Sequence, residues 1–273
     1  MVTQEQRKRQ LAREKFLRQQ QRRTSARRKA RMRNSVIASV LGVIVIGSVA
    51  LYTTGVLKND DDKSNASADV TPSASATSKA PDPCAKPAAG KIKTATWKKE
   101  PAMTIDTSAA YTMKLATTCG DIDIALKTKA APHTVNSFDF LAAKGYFDHT
   151  KCHRLTTSGI YVLQCGDPTG AGSGGPGYTI PDENLKDTSL KGGIYPAGTI
   201  AMANTGQKHT GGSQFFLVYK DSTLPASYTP FGTISASGMK VLNKIAAAGE
   251  STGAGDGAPN ATVVINKATV TKS

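Results

Sequence analysis

From residue 109 onward, apolar and polar positions alternate over short runs. Residues 111–116 and 122–126 each keep a period of two on either side of a Thr-Thr-Cys-Gly-Asp turn, which predicts an antiparallel hairpin. The period then lengthens. Val135, Phe138, Leu141 and Ala142 mark one face of a helix, with Pro132 suited to its first turn and Gly145 to its C-terminal cap. Residues 152–155 and 161–165 flank a polar Thr-Thr-Ser-Gly turn and predict a second hairpin, with Arg154 and Gln164 on facing strands. Further strands are expected at 199–203, 215–219, 231–234 and 263–270. A second helix is expected over 239–248, where Val241, Leu242 and Ile245 recur at helical spacing. Many strands, two helices and no β-α-β alternation predict a mainly-β domain, an antiparallel barrel or sandwich with helices plugging its ends.

Upstream the pattern is different in kind. Residues 35–57 run without a charge and, as a helix, would measure about 34 Å, enough for a bilayer core of about 30 Å. Residues 58–108 are Asp, Ser, Ala, Thr, Pro and Lys, a composition that cannot bury a core and reads as a flexible linker. Cys84 and Trp97 are out of character there, so the stretch after Cys84 is expected to lie partly against the domain. The expected organisation is a basic tail (1–34), a transmembrane helix (35–57), a linker (58–108) and a folded domain (109–273).

Charge fixes the orientation. Thirteen Lys/Arg against Glu5 and Glu14 place eleven of the net +15 charges in residues 1–34, while Asp60-Asp61-Asp62 follow the apolar run. The preference for positive charge in the cytoplasm then predicts a single-pass signal-anchor protein of the cell membrane, N-terminus inside and folded domain outside. Cleavage after the small-x-small triplet Ser48-Val49-Ala50 is the rival reading. Because the basic excess lies in a juxtamembrane tail and the remaining residues carry only +4, anionic lipid is a better partner for it than nucleic acid.

Cys84, Cys119, Cys152 and Cys165 in an extracytoplasmic domain favour disulfides, for which three pairings are possible. Cys152 and Cys165 fall on the two arms of the second hairpin, which leaves Cys84 to clip the linker to Cys119. A zinc site using Cys152, His153 and Cys165 is the alternative, weakened because adjacent residues alternate across a strand.

Arg154 is the anomaly of the second hairpin. A guanidinium keeps its proton and is costly to bury unpaired, so it is either a structural ion pair or faces a cleft. Other chemistry is poorly supported. Residues 170–175 formally match G-x-G-x-x-G, but Pro176-Gly177 follows instead of a helix. Ser213 lacks a nucleophile-elbow pattern, and His133, His149, His153 and His209 show no metal spacing.

What recurs is uncharged polar residues beside aromatics. His153-Arg154-Leu155, Gln164-Cys165-Gly166-Asp167, Met202-Ala203-Asn204 and Gly212-Ser213-Gln214-Phe215-Phe216 stand in an order that resembles the cyclophilins, peptidyl-prolyl cis-trans isomerases, over residues 109–270. The layout of tail, apolar run and Cys-bearing domain is similar to that of membrane-anchored actinobacterial members. The resemblance implies a closed antiparallel β-barrel capped by two α-helices. It implies a catalytic set of Arg154, Gln164 and Phe216, and substrate contacts from Tyr161, Val162, Ala203, Asn204, Gln214, Leu224 and Tyr228. Proline-containing polypeptides and, through 35–57, the lipid bilayer are the expected partners. No metal, cofactor or nucleic acid is expected, and the domain is expected to be a monomer. Three departures stand out: a turn after Arg154 two residues longer than usual, Tyr228 where many members have His, and Thr223 where the drug-binding Trp usually is.

Overall fold

The computed structural model describes residues 81–272. The tail, the apolar run and the linker up to residue 80, with the expectations attached to them, lie outside the described residues. Among the described residues, no helix is long and apolar enough to cross a membrane.

The first predicted hairpin forms β1 (Tyr111–Thr117) and β2 (Gly120–Leu126). Tyr111, Met113 and Leu115 of one and Ile122, Ile124 and Leu126 of the other point into the core, as a period of two requires. Helix α1 (Pro132–Ala143) follows, and Gly145 beyond it takes φ +66°. Its start has no local cap: Ala131 offers no side-chain acceptor. Glu183, fifty residues on, caps it instead, accepting from the N–H groups of His133 (3.0 Å) and Thr134 (2.9 Å).

The chain then makes β3 (Thr150–Lys151), β4 (Arg154–Thr156) and β5 (Val162–Cys165), followed by β6 (Ile194–Tyr195), β7 (Thr199–Met202), β8 (Phe215–Val218), β9 (Ser222–Thr223) and β10 (Pro230–Ile234). Helix α2 (Ala236–Ala247) begins three residues earlier than the apolar spacing indicated, because the Ser235 hydroxyl accepts from the N–H of Gly238 at 3.0 Å. β11 (Asp256–Gly257) and β12 (Val264–Lys272) complete the set.

Ten strands form one antiparallel sheet in the order β11-β4-β5-β8-β7-β10-β2-β1-β12-β3, and β6 and β9 pair separately. The order is open, so the expected closed barrel is realised as a curled sheet whose ladder is not cyclic. Only Cys152 and His153 separate its β3 edge from β4. Cys152 donates to Val263 O (2.9 Å) and His153 donates to Gln164 O (3.1 Å), so one extended stretch leaves the β12 side and joins the β5 side. Inside the curl Phe138 packs against Phe147, Phe215 and Phe231, with ring centroids 5.3, 5.6 and 4.6 Å apart.

Both disulfides are present, Cys84–Cys119 and Cys152–Cys165, which leaves no thiolate for the alternative zinc site. The first begins a strap. Ala85 donates to Thr118 O (2.8 Å) and Ala88 to Asn266 Oδ1 (2.9 Å). Gly90 lies on the His149 ring, where a Cβ would fall 1.9 Å from Nε2. Trp97 packs on Phe140 (5.1 Å) and Tyr146 (5.9 Å), and Thr104 donates to Asn136 Oδ1 (2.9 Å). The stretch assigned to linker is therefore, from Cys84 on, laid against the domain. It has no aliphatic periodicity because single anchors at intervals hold it, in place of a continuous face.

Cys84→Ser with Cys119→Ser is expected to lower unfolding free energy by about 2–4 kcal/mol, the loop-closure entropy for two residues 35 apart in sequence. Guanidinium titration of the oxidised wild-type and variant domains measures it, and equal midpoints would show that the strap's other anchors suffice.

Candidate functional site

Strands β5, β8 and β7 lie side by side and are buried on both faces. Leu163, Phe215, Leu217, Ile200 and Met202 enter the main core, while Val162, Phe216, Val218 and Ala201 turn to the other face and form a second apolar cluster with Tyr195. Over that cluster opens a cavity of about 200 Å³, lined by Arg154, Ile160, Val162, Gln164, Ala203, Asn204, Phe216, Leu224 and Tyr228. Eight of these were named from the sequence. Tyr161 was also named but does not line the cavity: its ring stands 5.9 Å from Tyr219, with Lys220 Nζ 4.5 Å from its centroid. Ile160, in the bend before β5, takes the place in the lining that was expected of Tyr161.

The polar side of the cavity is a relay. Arg154 and Gln164 are register partners on β4 and β5. Arg154 donates through Nε (2.7 Å) and Nη2 (2.8 Å) to the two carboxylate oxygens of Asp256 and through Nη1 (3.1 Å) to Gln164 Oε1. Gln164 Nε2 donates to Gln214 Oε1 (2.9 Å), and Gln214 Nε2 donates to Gly174 O (2.9 Å). A guanidinium has five N–H bonds. Three are committed, so two remain without a protein acceptor among the described residues. The Asp256 pair raises the Arg154 pKa and lowers that of Asp256.

Asp256 was invisible in the sequence, since β11 is two residues long in a Gly-rich run. Glu250 sets its loop, accepting from the N–H groups of Thr252 (2.6 Å) and Gly255 (2.8 Å). Asp167 does the same for the 169–174 loop, the segment that formally matched a nucleotide fingerprint. It accepts from Thr169 N (2.7 Å), Gly172 N (2.6 Å) and Gly174 N (3.1 Å). Burial pushes the Asp167 pKa up, but these donors outweigh it and the net shift is downward.

The apolar side is pinned by Tyr195, also missed because β6 is too short to show a period. Its hydroxyl donates to Tyr228 O (2.8 Å) and accepts from Tyr228 N (3.2 Å), and Asn204 Nδ2 donates to Ser227 O (2.8 Å). Tyr228 then meets Phe216 edge-on with centroids 5.4 Å apart. Thr223 is exposed on β9. The arrangement offers an apolar seat for a small ring, amide groups along its rim and a fixed cation with spare donors.

A profile of the family "Cyclophilin type peptidyl-prolyl cis-trans isomerase/CLD" matches residues 112–270, more than half of the chain. The chain is 47% identical over 195 residues to a probable peptidyl-prolyl cis-trans isomerase B of Mycobacterium leprae, an alignment covering 68% of this chain and 62% of that protein. It is 49% identical over 165 residues to the Mycobacterium tuberculosis protein of the same description, covering 58% and 53%. The chain thus spans less than two thirds of these relatives' own length. A crystal structure of a Cryptosporidium parvum cyclophilin type peptidyl-prolyl cis-trans isomerase matches with a TM-score of 0.49 and 26% identity, over 60% of this chain and 99% of that one.

His153 sits beside Arg154 with both ring nitrogens buried and unpaired. Loss of hydration lowers its pKa, Arg154 and Lys151 push the same way, and Asp167 only partly opposes them. The unfolded chain therefore binds a proton that the folded one refuses, so this contribution is intact above about pH 6.5 and is lost as pH falls toward the depressed folded value. His133, whose pKa Glu100 raises, has the opposite sign and cancels when wild type is compared with a variant. The stability of His153→Phe relative to wild type is expected to be flat above about pH 7 and to improve below about 6.5. Denaturant titrations across pH measure it, and a parallel pair of curves would remove His153 as the cause.

Proposed function

This chain belongs to the cyclophilin-type peptidyl-prolyl cis-trans isomerase family, and from that premise we propose that it accelerates rotation about X-Pro bonds in extracytoplasmic polypeptides and so assists their folding. Rotation must break amide resonance, a barrier of about 18–20 kcal/mol that takes tens to hundreds of seconds to cross unaided. No bond between heavy atoms breaks. The site need only bind the twisted amide better than either planar form.

The observation that carries this reading is an arginine with two uncommitted N–H bonds at the rim of a ring-sized apolar cavity. Val162, Phe216, Leu224, Tyr228 and Ile160 would seat the proline ring. Gln164, Ala203 and Asn204, with Gln214 behind them, would hold the flanking backbone. As the amide twists, its nitrogen lone pair localises and becomes an acceptor, and a guanidinium already held in place can donate to it without reorganising. Asp256 is a positioning residue in this scheme. It holds one edge of the fork, through Nε and Nη2, and leaves one N–H each on Nη1 and Nη2 uncommitted.

The basic tail, the apolar run 35–57 and the acidic residues beyond it support a single-pass anchor with the domain outside the cell membrane. Two disulfides fit that compartment. The Asp256 pair also favours a second reading, a catalytically silent, membrane-tethered proline-peptide binding or scaffold module, because a paired arginine is what a purely structural role would need.

A protease-coupled assay on an Ala-Pro peptide separates the two. Arg154→Ala is expected to fold and to lose one to three orders of magnitude in kcat/KM, about 1.4–4 kcal/mol of transition-state stabilisation. Asp256→Ala should lose about tenfold through a loosened guanidinium, and Asp256→Asn less. No turnover by the wild type would establish the silent module, and full turnover by Arg154→Ala would exclude Arg154 from the chemistry.

For the location, protease added to intact cells is expected to remove the isomerase domain while sparing the tail. A soluble secreted form beginning near Leu51 would establish cleavage.

A further inference from the structure

Beside the small cavity lies a larger one of about 1050 Å³, and the two share Gln164, Ala203 and Asn204. Because the two adjoin, a chain with its proline in the first has the second within reach of its neighbouring residues. Part of the larger cavity's wall is the loop held by Asp167. Another part comes from the strap, through Lys98, Lys99 and Glu100, which precede the residues 112–270 matched by the family profile. The strap is well fixed at this point: Trp97 donates to Pro176 O (2.8 Å), and its ring packs on Phe140 and Tyr146.

The charge in this wall is unbalanced. Glu100 is the one carboxylate lining the cavity, and it is engaged by His133 Nδ1. Lys98 and Lys99 are exposed, and neither makes an ion pair or hydrogen bond among the described residues. Both line the cavity with their charge uncommitted, so an anionic side chain placed there would meet both. We propose that the strap is a specificity element appended to the isomerase domain, and that Lys98 and Lys99 select polypeptides carrying Asp or Glu close to the proline. The proposal rests on the isomerase reading.

The test is a set of Ala-Pro peptides carrying Glu, Ala or Lys at each of the three positions on either side of Ala-Pro, assayed with the full domain including the strap. At low salt Glu at one or more positions is expected to raise kcat/KM about two- to tenfold over Ala, the range for exposed ion pairs, and the gain should fade as salt is added. In Lys98→Glu/Lys99→Glu, with an unchanged thermal midpoint to show that it is folded, the same positions should favour Lys. Equal turnover of all peptides, or a Glu preference that survives the double reversal, would overturn the strap's role alone. Absence of turnover on every peptide would instead overturn the isomerase reading.

Discussion

A guanidinium at the rim of an apolar cavity faces two opposed requirements. Left unpaired it would be costly to hold in a half-buried position, and fully paired it would have nothing to offer a substrate. Arg154 meets both by dividing its five donors, with Asp256 taking two, Gln164 one and two left over. The division depends on where β4, β5 and β11 lie relative to one another. That placement depends in turn on Glu250, which shapes the loop that delivers Asp256, and on the disulfide joining Cys152 to Cys165 at the β4 and β5 ends.

The sheet supplies the other half of the site by being buried twice. Along β8, Phe215 and Leu217 fill the curl while Phe216 floors the cavity and Val218 joins the apolar cluster beneath it, so one strand serves core and site at alternate residues. Loss of Phe216 would therefore open the cavity floor and the cluster around Tyr195, whereas loss of Phe215 would open the core on the other face. The two demands on the sequence are separated by a single step along the backbone.

Much of this was legible in the residues. The β1–β2 and β4–β5 hairpins follow from alternation and turn chemistry, and the facing of Arg154 and Gln164 follows from the second of them. Two kinds of feature were hidden. Asp256 and Tyr195 sit on two-residue strands, too short for any period, and their partners are far away in sequence. Glu183 caps α1 across fifty residues, so no local motif announces it. Tyr161 shows a third limit: the resemblance placed it in the cavity with its neighbour Val162, but it lies just before β5, at the end of the turn whose length departs from the family's, and Ile160 lines the cavity. The strap was legible only at its out-of-character residues, Cys84 and Trp97, from which contact with the domain was expected. Its composition is that of a solvated linker, and its order comes from Cys84, Trp97 and Asn136-bound Thr104, each of which acts singly.

The pairing of β1 with β12 has a bearing on how the domain comes into being. Tyr111 lies opposite Lys272, so the first strand to leave a ribosome or a translocation pore waits for the last one before its outer edge is covered. Until then β1 exposes a row of unsatisfied amides next to apolar side chains, the kind of surface that invites pairing with other chains. The β1–β2 hairpin can form early, but the β1–β12 ladder cannot. β1 and β12 can pair only once nearly the whole domain has been made, so the closing of this edge is a late event.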